Sequence, residues 1–122
     1  MNYTFNYDVS VILVNYNGKK YIDALFDSLI RLEHDDFTFE VVFVDNNSSD
    51  GSVEYLEQNY KDKCNLNIVE TGENKGFAGG NNAGVAASSG RYVVLLNNDT
   101  AVDPKWLTNL YHFMQKHPEC GM

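Results

Sequence analysis

The chain has 122 residues, a length that suits one domain, and 43% of them are hydrophobic, which is enough to form a buried core. Its charged fraction of 21% is ordinary, so an intrinsically disordered chain is excluded. The formal net charge is -8, and an acidic surface repels nucleic acid as a main partner. A small anionic ligand therefore needs local help, from a metal ion or from helix N-termini.

Compartment and membrane signals are weak. The two cysteines, Cys64 and Cys120, form neither a metal-type pair nor a disulfide scaffold, which is typical of thiols in a reducing compartment. Residues 1–8 have no apolar signal core, and no apolar run approaches the ~20 residues of a membrane span. We therefore expect a cytoplasmic location, with the inner face of the membrane left open for the full enzyme.

The first half of the chain alternates strand and helix patterns. Residues 9–14 form a β-branched apolar run that predicts a buried strand, and residues 15–18 break it. A second strand is predicted at residues 39–44 and stops at turn formers over 45–51. A one-sided helix lies between them, and Ser52 is predicted to cap another after the second strand. The apolar positions that define these two helices are Ile22, Leu25, Phe26 and Leu29, and then Val53, Leu56 and Tyr60.

The second half repeats the alternation. Strands are predicted at residues 66–69 and 91–96. Between them a glycine- and asparagine-rich segment, 72–84, runs into a short helix of small residues at 83–89. Asp103 is the predicted N-cap of the last helix, with Pro104 at its first position. The apolar face of that helix consists of Leu107, Leu110, Tyr111 and Met114.

This order predicts an α/β fold. Continuous apolar strands alternating with amphipathic helices are typical of a mostly parallel sheet covered by helices on both faces. In such sheets ligands bind at the carboxyl ends of the strands, near the point where the strand order reverses. The polar clusters 15–17, 45–50 and 97–99 all follow predicted strands, so they are the candidate site.

Several of these polar residues have two interpretations. Asp45 can accept hydrogen bonds from a nucleoside, or it can cap its own turn. Tyr16 can stack on a base or simply pack. Asp99, with the Asn97 carbonyl, can hold Mg²⁺ or Mn²⁺ beside substrate phosphates, or the tetrad 97–100 can be an ordinary turn. The turn after the first strand has neither the G-x-G-x-x-G pattern nor a P-loop, which disfavours NAD and triphosphate sites of those types.

Taken together, four motifs resemble the family 2 glycosyltransferases, from about residue 9 onward. They are the opening strand and turn at 9–17, the second strand and turn at 42–52, the glycine-rich donor loop at 74–84, and the segment 95–100, where that family carries its D-x-D metal motif. The sequence of residues 76–82 is most similar to that of the rhamnosyltransferase-like subgroup. The resemblance implies a GT-A fold and places this chain, 1–122, as the nucleotide-sugar-binding N-terminal part of a longer enzyme.

The resemblance also implies roles for individual residues. Inverting, metal-assisted transfer from a UDP or dTDP sugar to a hydroxyl of a saccharide or lipid-linked acceptor is expected. Asp99 and Asn97 are the implied Mg²⁺ or Mn²⁺ ligands. The implied nucleotide-binding residues are Asn15, Tyr16, Asn17, Asp45, Gly76, Asn82 and Asn98.

The chain departs from the family pattern at two positions and lacks one function. Asn97 replaces the first aspartate of D-x-D, which lowers the expected metal affinity, and Asn81 stands where many relatives carry arginine. The family's catalytic base lies in the second half of the domain, beyond Met122, so we expect these 122 residues to bind nucleotide without transferring sugar.

Two other classes compete with this interpretation. A receiver-like signalling domain fits the length, the acidity and Asp45, but it needs an acidic pair after the first strand, where this chain has Asn15, Tyr16 and Asn17. A sugar-nucleotide pyrophosphorylase shares the fold type, but its glycine- and arginine-rich first loop is missing here.

Overall fold

The computed structural model describes residues 5–117. Four strands alternate with four helices, and these eight elements are listed here in chain order: β1 (Tyr7–Asn15), α1 (Lys19–Ile30), β2 (Phe39–Asp45), α2 (Ser52–Tyr60), β3 (Leu66–Glu70), α3 (Gly76–Ala87), β4 (Gly90–Leu96) and α4 (Trp106–Lys116). The predicted strands are confirmed, each lengthened by one to three residues.

The four strands form one parallel sheet in the order β3-β2-β1-β4. The chain adds β2 and then β3 on one side of β1 and returns to place β4 on the other side. The strand order therefore reverses between β1 and β4. Asn15 is paired with Asp45 in the β1–β2 register, so the polar ends of these two strands lie side by side.

Helices cover both faces of the sheet, as the alternation predicts. The larger core cluster joins the odd-numbered residues of β1 to α1, α2 and α4, and includes Phe26, Phe43 and Leu107. The smaller cluster on the opposite face joins Ile12, Val42 and Val44 to small residues of α3. Because period-2 alternation sends successive side chains to opposite faces, one strand contributes to both clusters.

Helix α3 corrects the sequence prediction. Residues 72–84 were expected to be a glycine-rich loop leading to a helix at 83–89, but the helix begins at Gly76 and ends at Ala87. Glycine is a poor helix former, and here tertiary packing overrides that preference. A Cβ on Gly84 would lie 2.5 Å from Cγ2 of Ile12, so only glycine lets α3 approach the sheet this closely.

Two predicted helix starts also shift. Ser52 is the first residue of α2 rather than its cap; Gly51 precedes it with a left-handed φ of 80°. Helix α4 begins at Trp106 rather than at Pro104, although the Asp103 carboxylate does accept a hydrogen bond from the Lys105 N–H at 2.9 Å.

Candidate functional site

The carboxyl end of the sheet carries a buried carboxylate. Asp45 ends β2 and is only 3% exposed. Its Oδ1 accepts hydrogen bonds from Asn15 Nδ2 at 3.0 Å and from the Ser48 hydroxyl at 2.7 Å, and its Oδ2 accepts one from the Ser48 N–H at 2.9 Å. Three neutral donor contacts of this kind satisfy the buried carboxylate. Asp45 therefore does close its own turn, and it also sits at the ligand edge.

Hydrogen bonds join the loops after β1 and β2 into one unit. The Asn17 N–H donates to the Ser48 hydroxyl at 2.8 Å, and the Ser49 N–H donates to Asn17 Oδ1 at the same distance. Asn17 has a left-handed φ of 53°, a conformation that asparagine tolerates better than most residues. The two loops thus present a fixed surface rather than two independent turns.

Asp50 holds the N-termini of two helices. Its carboxylate accepts the Lys19 N–H at the start of α1 at 3.0 Å and the Ser52 N–H at the start of α2 at 3.1 Å, and the Ser52 hydroxyl also donates to it. Desolvation acts to raise the pKa of Asp50, but these hydrogen bonds from Ser52 and Lys19 outweigh it and the pKa is lowered. An anion at two helix N-termini is also favoured by both helix dipoles.

The third loop joins the other two through Asn98. Its Nδ2 donates to Asn15 Oδ1 at 3.1 Å, across the boundary between β4 and β1. Gly18 lies against this pair, and a Cβ there would come within 2.5 Å of both Asn15 Oδ1 and Asn98 Nδ2. The requirement for glycine at position 18 is therefore steric and comes from the Asn15–Asn98 contact.

Asn97 and Asp99 are exposed on either side of the half-buried Asn98. Within residues 5–117, no cluster of three or more His, Cys, Asp or Glu side chains is arranged to hold a metal. One free carboxylate and one free amide are nevertheless oxygen donors of the kind Mg²⁺ and Mn²⁺ accept when substrate phosphates complete the coordination. The residues at 97 and 99 thus fit a cation that arrives with a diphosphate.

The start of α3 reaches the same edge from the other face of the sheet. Gly76 is exposed, has a left-handed φ of 74°, and has no atom within 4 Å of a Cβ built on it. Its carbonyl accepts a hydrogen bond from Asn46 Nδ2 at 3.0 Å, while Asn46 Oδ1 accepts the Thr71 hydroxyl at 3.2 Å. Sequence reasoning did not single out Asn46, which joins β2 to α3 from a buried position.

Asn81 is a second residue that sequence reasoning did not select as a nucleotide ligand. Asn82 was selected, but Asn82 is exposed on α3, whereas Asn81 is only 8% exposed. Among the described residues, no hydrogen bond joins the Asn81 amide to another protein atom, and no buried polar atom is left without a partner. The Asn81 amide therefore keeps contact with solvent from a mostly buried position, as a ligand-facing group does. The sequence signal that could have identified Asn81 is its spacing from Gly80 and Gly84, the glycines of α3 that pack on the sheet.

Tyr16 projects outward from the β1–α1 loop and is 53% exposed. Its ring does not pack into the core, so it is free to cover a ligand at this edge. Two surface depressions lie away from Asp45 and from the 97–99 turn. One, of about 490 Å³, lies between α1 and α2 and is lined by Asn17 and Asp50 of the joined loops as well as by Lys19 and Tyr55. The other, of about 300 Å³, is at the opposite end of the sheet near Cys64.

The Cys64 thiol is free and half-buried, and burial raises its pKa to about 11. It is therefore not a nucleophile at neutral pH. Cys120 lies outside the described residues. Within 5–117, no helix is both long enough and apolar enough to cross a membrane.

The parallel sheet covered on both faces, with polar loops joined at its carboxyl edge, is a doubly wound α/β fold, and it matches the GT-A type of that architecture. The sequence model of glycosyl transferase family 2 matches residues 10–121. The chain therefore belongs to glycosyl transferase family 2, which decides against the receiver-like and pyrophosphorylase-like classes.

Curated relatives are longer than this chain. The poly(ribitol-phosphate) beta-N-acetylglucosaminyltransferase TarS of Staphylococcus aureus is 31% identical over 109 residues, which are 88% of this chain and 19% of TarS. The putative teichuronic acid biosynthesis glycosyltransferase TuaG of Bacillus subtilis is 32% identical over 108 residues, 88% of this chain and 42% of TuaG. The chain thus spans less than half the length of these relatives.

Solved structures agree on the fold. A crystal structure of residues 1–349 of S. aureus TarS in complex with UDP superposes with a TM-score of 0.82 at 30% identity, covering 91% of this chain and 33% of that one. The mannosyltransferase PcManGT of Pyrobaculum calidifontis, in complex with GDP-Man and Mn²⁺, gives a TM-score of 0.79 at 26% identity, covering 91% and 33%.

Proposed function

We propose that residues 1–122 form the nucleotide-sugar-binding part of an inverting, metal-assisted glycosyltransferase whose donor is a UDP or dTDP sugar. The observation that carries the proposal is the buried Asp45 carboxylate, which accepts hydrogen bonds from Asn15 and Ser48 at the carboxyl edge of the sheet, next to the point where the strand order reverses. The UDP and UDP-GlcNAc complexes of TarS support the choice of nucleotide.

The nucleoside half of the donor is assigned to the joined β1 and β2 loops. Asp45 accepts hydrogen bonds there, and exposed Tyr16 covers the base. Asn81, whose amide has no protein partner in the described chain, adds a donor and an acceptor from the α3 side. These groups can read a pyrimidine edge by hydrogen bonds and hold its ring by stacking.

The diphosphate half is assigned to the space between the start of α3 and the 97–99 turn. The N-terminus of α3 opens at the carboxyl edge with the exposed Gly76, and its first turn carries no acidic side chain. A divalent cation held by Asp99 and Asn97 would neutralise charge on the departing diphosphate. Such compensation is needed because the chain has a net charge of -8.

Sugar transfer and the acceptor are proposed for the full enzyme, since the relatives that this chain matches are longer than it is. Nucleotide binding without transfer is proposed for these 122 residues, because the family resemblance places the catalytic base in the second half of the domain. A saccharide or lipid-linked acceptor is proposed from the family resemblance, and the similarity to TarS, a poly(ribitol-phosphate) beta-N-acetylglucosaminyltransferase, supports a polymer. The sequence of residues 76–82 supports the rhamnosyltransferase-like subgroup, and the free Cys64 supports a cytoplasmic location.

The test is the thermal unfolding midpoint of the chain with UDP, dTDP, GDP or ADP, each with and without Mn²⁺. A ligand that binds only the folded state raises the midpoint, by an amount equivalent to ~2.7 kcal/mol at a hundredfold excess over Kd. We expect shifts for UDP or dTDP that weaken in Asp45→Ala and lose their Mn²⁺ dependence in Asp99→Ala. Asp62→Ala is the matched control, because this exposed carboxylate is at the opposite end of the sheet. No shift with any nucleotide would refute the proposal.

A further inference from the structure

Asn15 is the most completely enclosed polar residue of the site. It is 0% exposed, although its position in the first motif predicts contact with nucleotide. Its Nδ2 donates to Asp45 Oδ1 at 3.0 Å and to the Ser48 hydroxyl at 3.2 Å, and its Oδ1 accepts from Asn98 at 3.1 Å. Both amide hydrogens are therefore used inside the protein, and the amide has no surface for a ligand.

The charge of Asp45 dictates which way the Asn15 amide points. An ionised carboxylate only accepts hydrogen bonds, so the Asn15 side that faces it has to be the NH₂ group. The Ser48 hydroxyl donates its only hydrogen to Asp45 Oδ1, so towards Asn15 it can act only as an acceptor. With both neighbours accepting, Asn15 Oδ1 has to face the remaining neighbour, Asn98.

The same logic passes to Asn98. Because Asn15 offers a carbonyl oxygen, Asn98 has to present its NH₂ group to Asn15, as it does. Asn98 Oδ1 is then directed away from Asn15. In the described part of the chain, Asn98 Oδ1 has no hydrogen-bond partner. No fully buried polar side-chain atom there lacks a partner, so this oxygen is not fully buried. A carbonyl oxygen is thus left accessible beside Asp99.

We propose that Asn15 is a positioning residue that carries the orientation imposed by ionised Asp45 to Asn98, so that Asn98 Oδ1 faces the ligand edge as an acceptor. Asn15 itself touches no ligand. The inference rests on the proposed nucleotide site for its purpose, but the amide orientation can be measured without nucleotide. The effect has a direction: Asp45 determines the orientation of the Asn15 amide, and Asn15 determines the orientation of the Asn98 amide.

Side-chain amide signals in nitrogen–proton correlation NMR test that direction at neutral pH. In Asp45→Ala, Ser48 is free to donate to Asn15 Oδ1, so the Asn15 amide can reverse and the Asn98 NH₂ signals should shift or broaden. In Asn98→Ala, Asn15 still faces Asp45 and Ser48, so its NH₂ signals should stay in place. Asp50→Ala is the control, because Asp50 is in the same loop but does not contact Asn15. The inference would be overturned if the Asn98 signals did not change in Asp45→Ala. It would also be overturned if the Asn15 signals changed in Asn98→Ala as strongly as the Asn98 signals change in Asp45→Ala.

UDP affinity in the presence of Mn²⁺ is a second test of the positioning role of Asn15. Asn98→Ala should weaken UDP about tenfold, as expected for one lost ligand hydrogen bond. Asn15→Leu should weaken it by at least as much, and adding Asn98→Ala to Asn15→Leu should cost little more, because Asn15 acts through Asn98. Additive losses, or UDP binding unchanged in Asn15→Leu, would refute the positioning role. Absence of UDP binding by the unaltered chain, with the NMR responses intact, would instead refute the proposed function alone.

Discussion

The side-chain amide of Asn98 donates to that of Asn15 over 3.1 Å and closes the sheet edge between β4 and β1. These residues are 83 positions apart, and their contact lies where the strand order reverses. Gly18 makes the contact sterically possible. The nucleoside side and the cation side of the proposed donor site are therefore connected by a single pair of amides.

Gly18→Ala should disturb this pair directly. Position 18 has an ordinary φ of -105°, so the backbone tolerates alanine, but the new methyl group would come within 2.5 Å of Asn15 Oδ1 and Asn98 Nδ2. We expect a loss of about 1–3 kcal/mol in the free energy of unfolding, measured by urea denaturation. Gly72→Asn is the control, since nothing lies within 4 Å of a Cβ there and asparagine tolerates its positive φ. A Gly18→Ala chain as stable as the parent would contradict the steric argument.

Neighbouring asparagines on α3 should behave differently. Asn81→Ala should weaken UDP about tenfold with little change in stability, because the buried Asn81 amide has no protein partner among the described residues. Asn82→Ala, one position along on the exposed side, should leave UDP affinity unchanged. Isothermal titration of UDP measures both. The opposite ranking would restore the assignment of Asn82 made from sequence.

Asn97→Asp should strengthen cation binding. The substitution adds a second carboxylate beside Asp99 and restores the D-x-D pattern, and Mg²⁺ or Mn²⁺ prefers such ligands. We expect Mn²⁺ to bind about tenfold more tightly in the presence of UDP, as followed by water-proton relaxation. Asn109→Asp adds the same charge at an exposed position on α4 and should change nothing. Equal gains in both variants would show a general charge effect instead of a site.

Asp50 should make stability depend on pH. Its folded-state pKa is lowered from the ordinary 3.8, so its contribution is complete above that value and is lost as the pH falls through the lowered pKa. At neutral pH, Asp50→Ala should cost about 1–2 kcal/mol, since the N-termini of α1 and α2 lose their acceptor.

The check is urea unfolding of both chains from neutral pH to well below 3.8. The stability difference between parent and Asp50→Ala should shrink towards the acid end. The exposed Asp62→Ala should show a small difference throughout. A difference that grows on acidification would have the wrong sign for a carboxylate with a lowered pKa.

Local patterns located most of the architecture. The aliphatic runs placed all four strands, and the i, i+3, i+4, i+7 spacing placed α1 with its buried face of Ile22, Leu25, Phe26 and Leu29. The predicted start of α3 was wrong because glycine has a low helix propensity. The helix is stabilised instead by tertiary packing, since Gly80 and Gly84 lie close to Val14 and Ile12 of the sheet. Propensity is local, and this compensation comes from across the fold.

The sequence by itself determined the α/β class, the family, and the edge of the sheet that carries the polar residues, because strand periodicity and the turn residues that end each strand are local properties. Only the tertiary structure decided what those polar residues do. It enclosed Asn15, buried Asn81 and exposed Asn82, and paired Asn98 with Asn15. Such choices depend on strand order and on hydrogen bonds between residues 30 to 83 positions apart, which no local periodicity records.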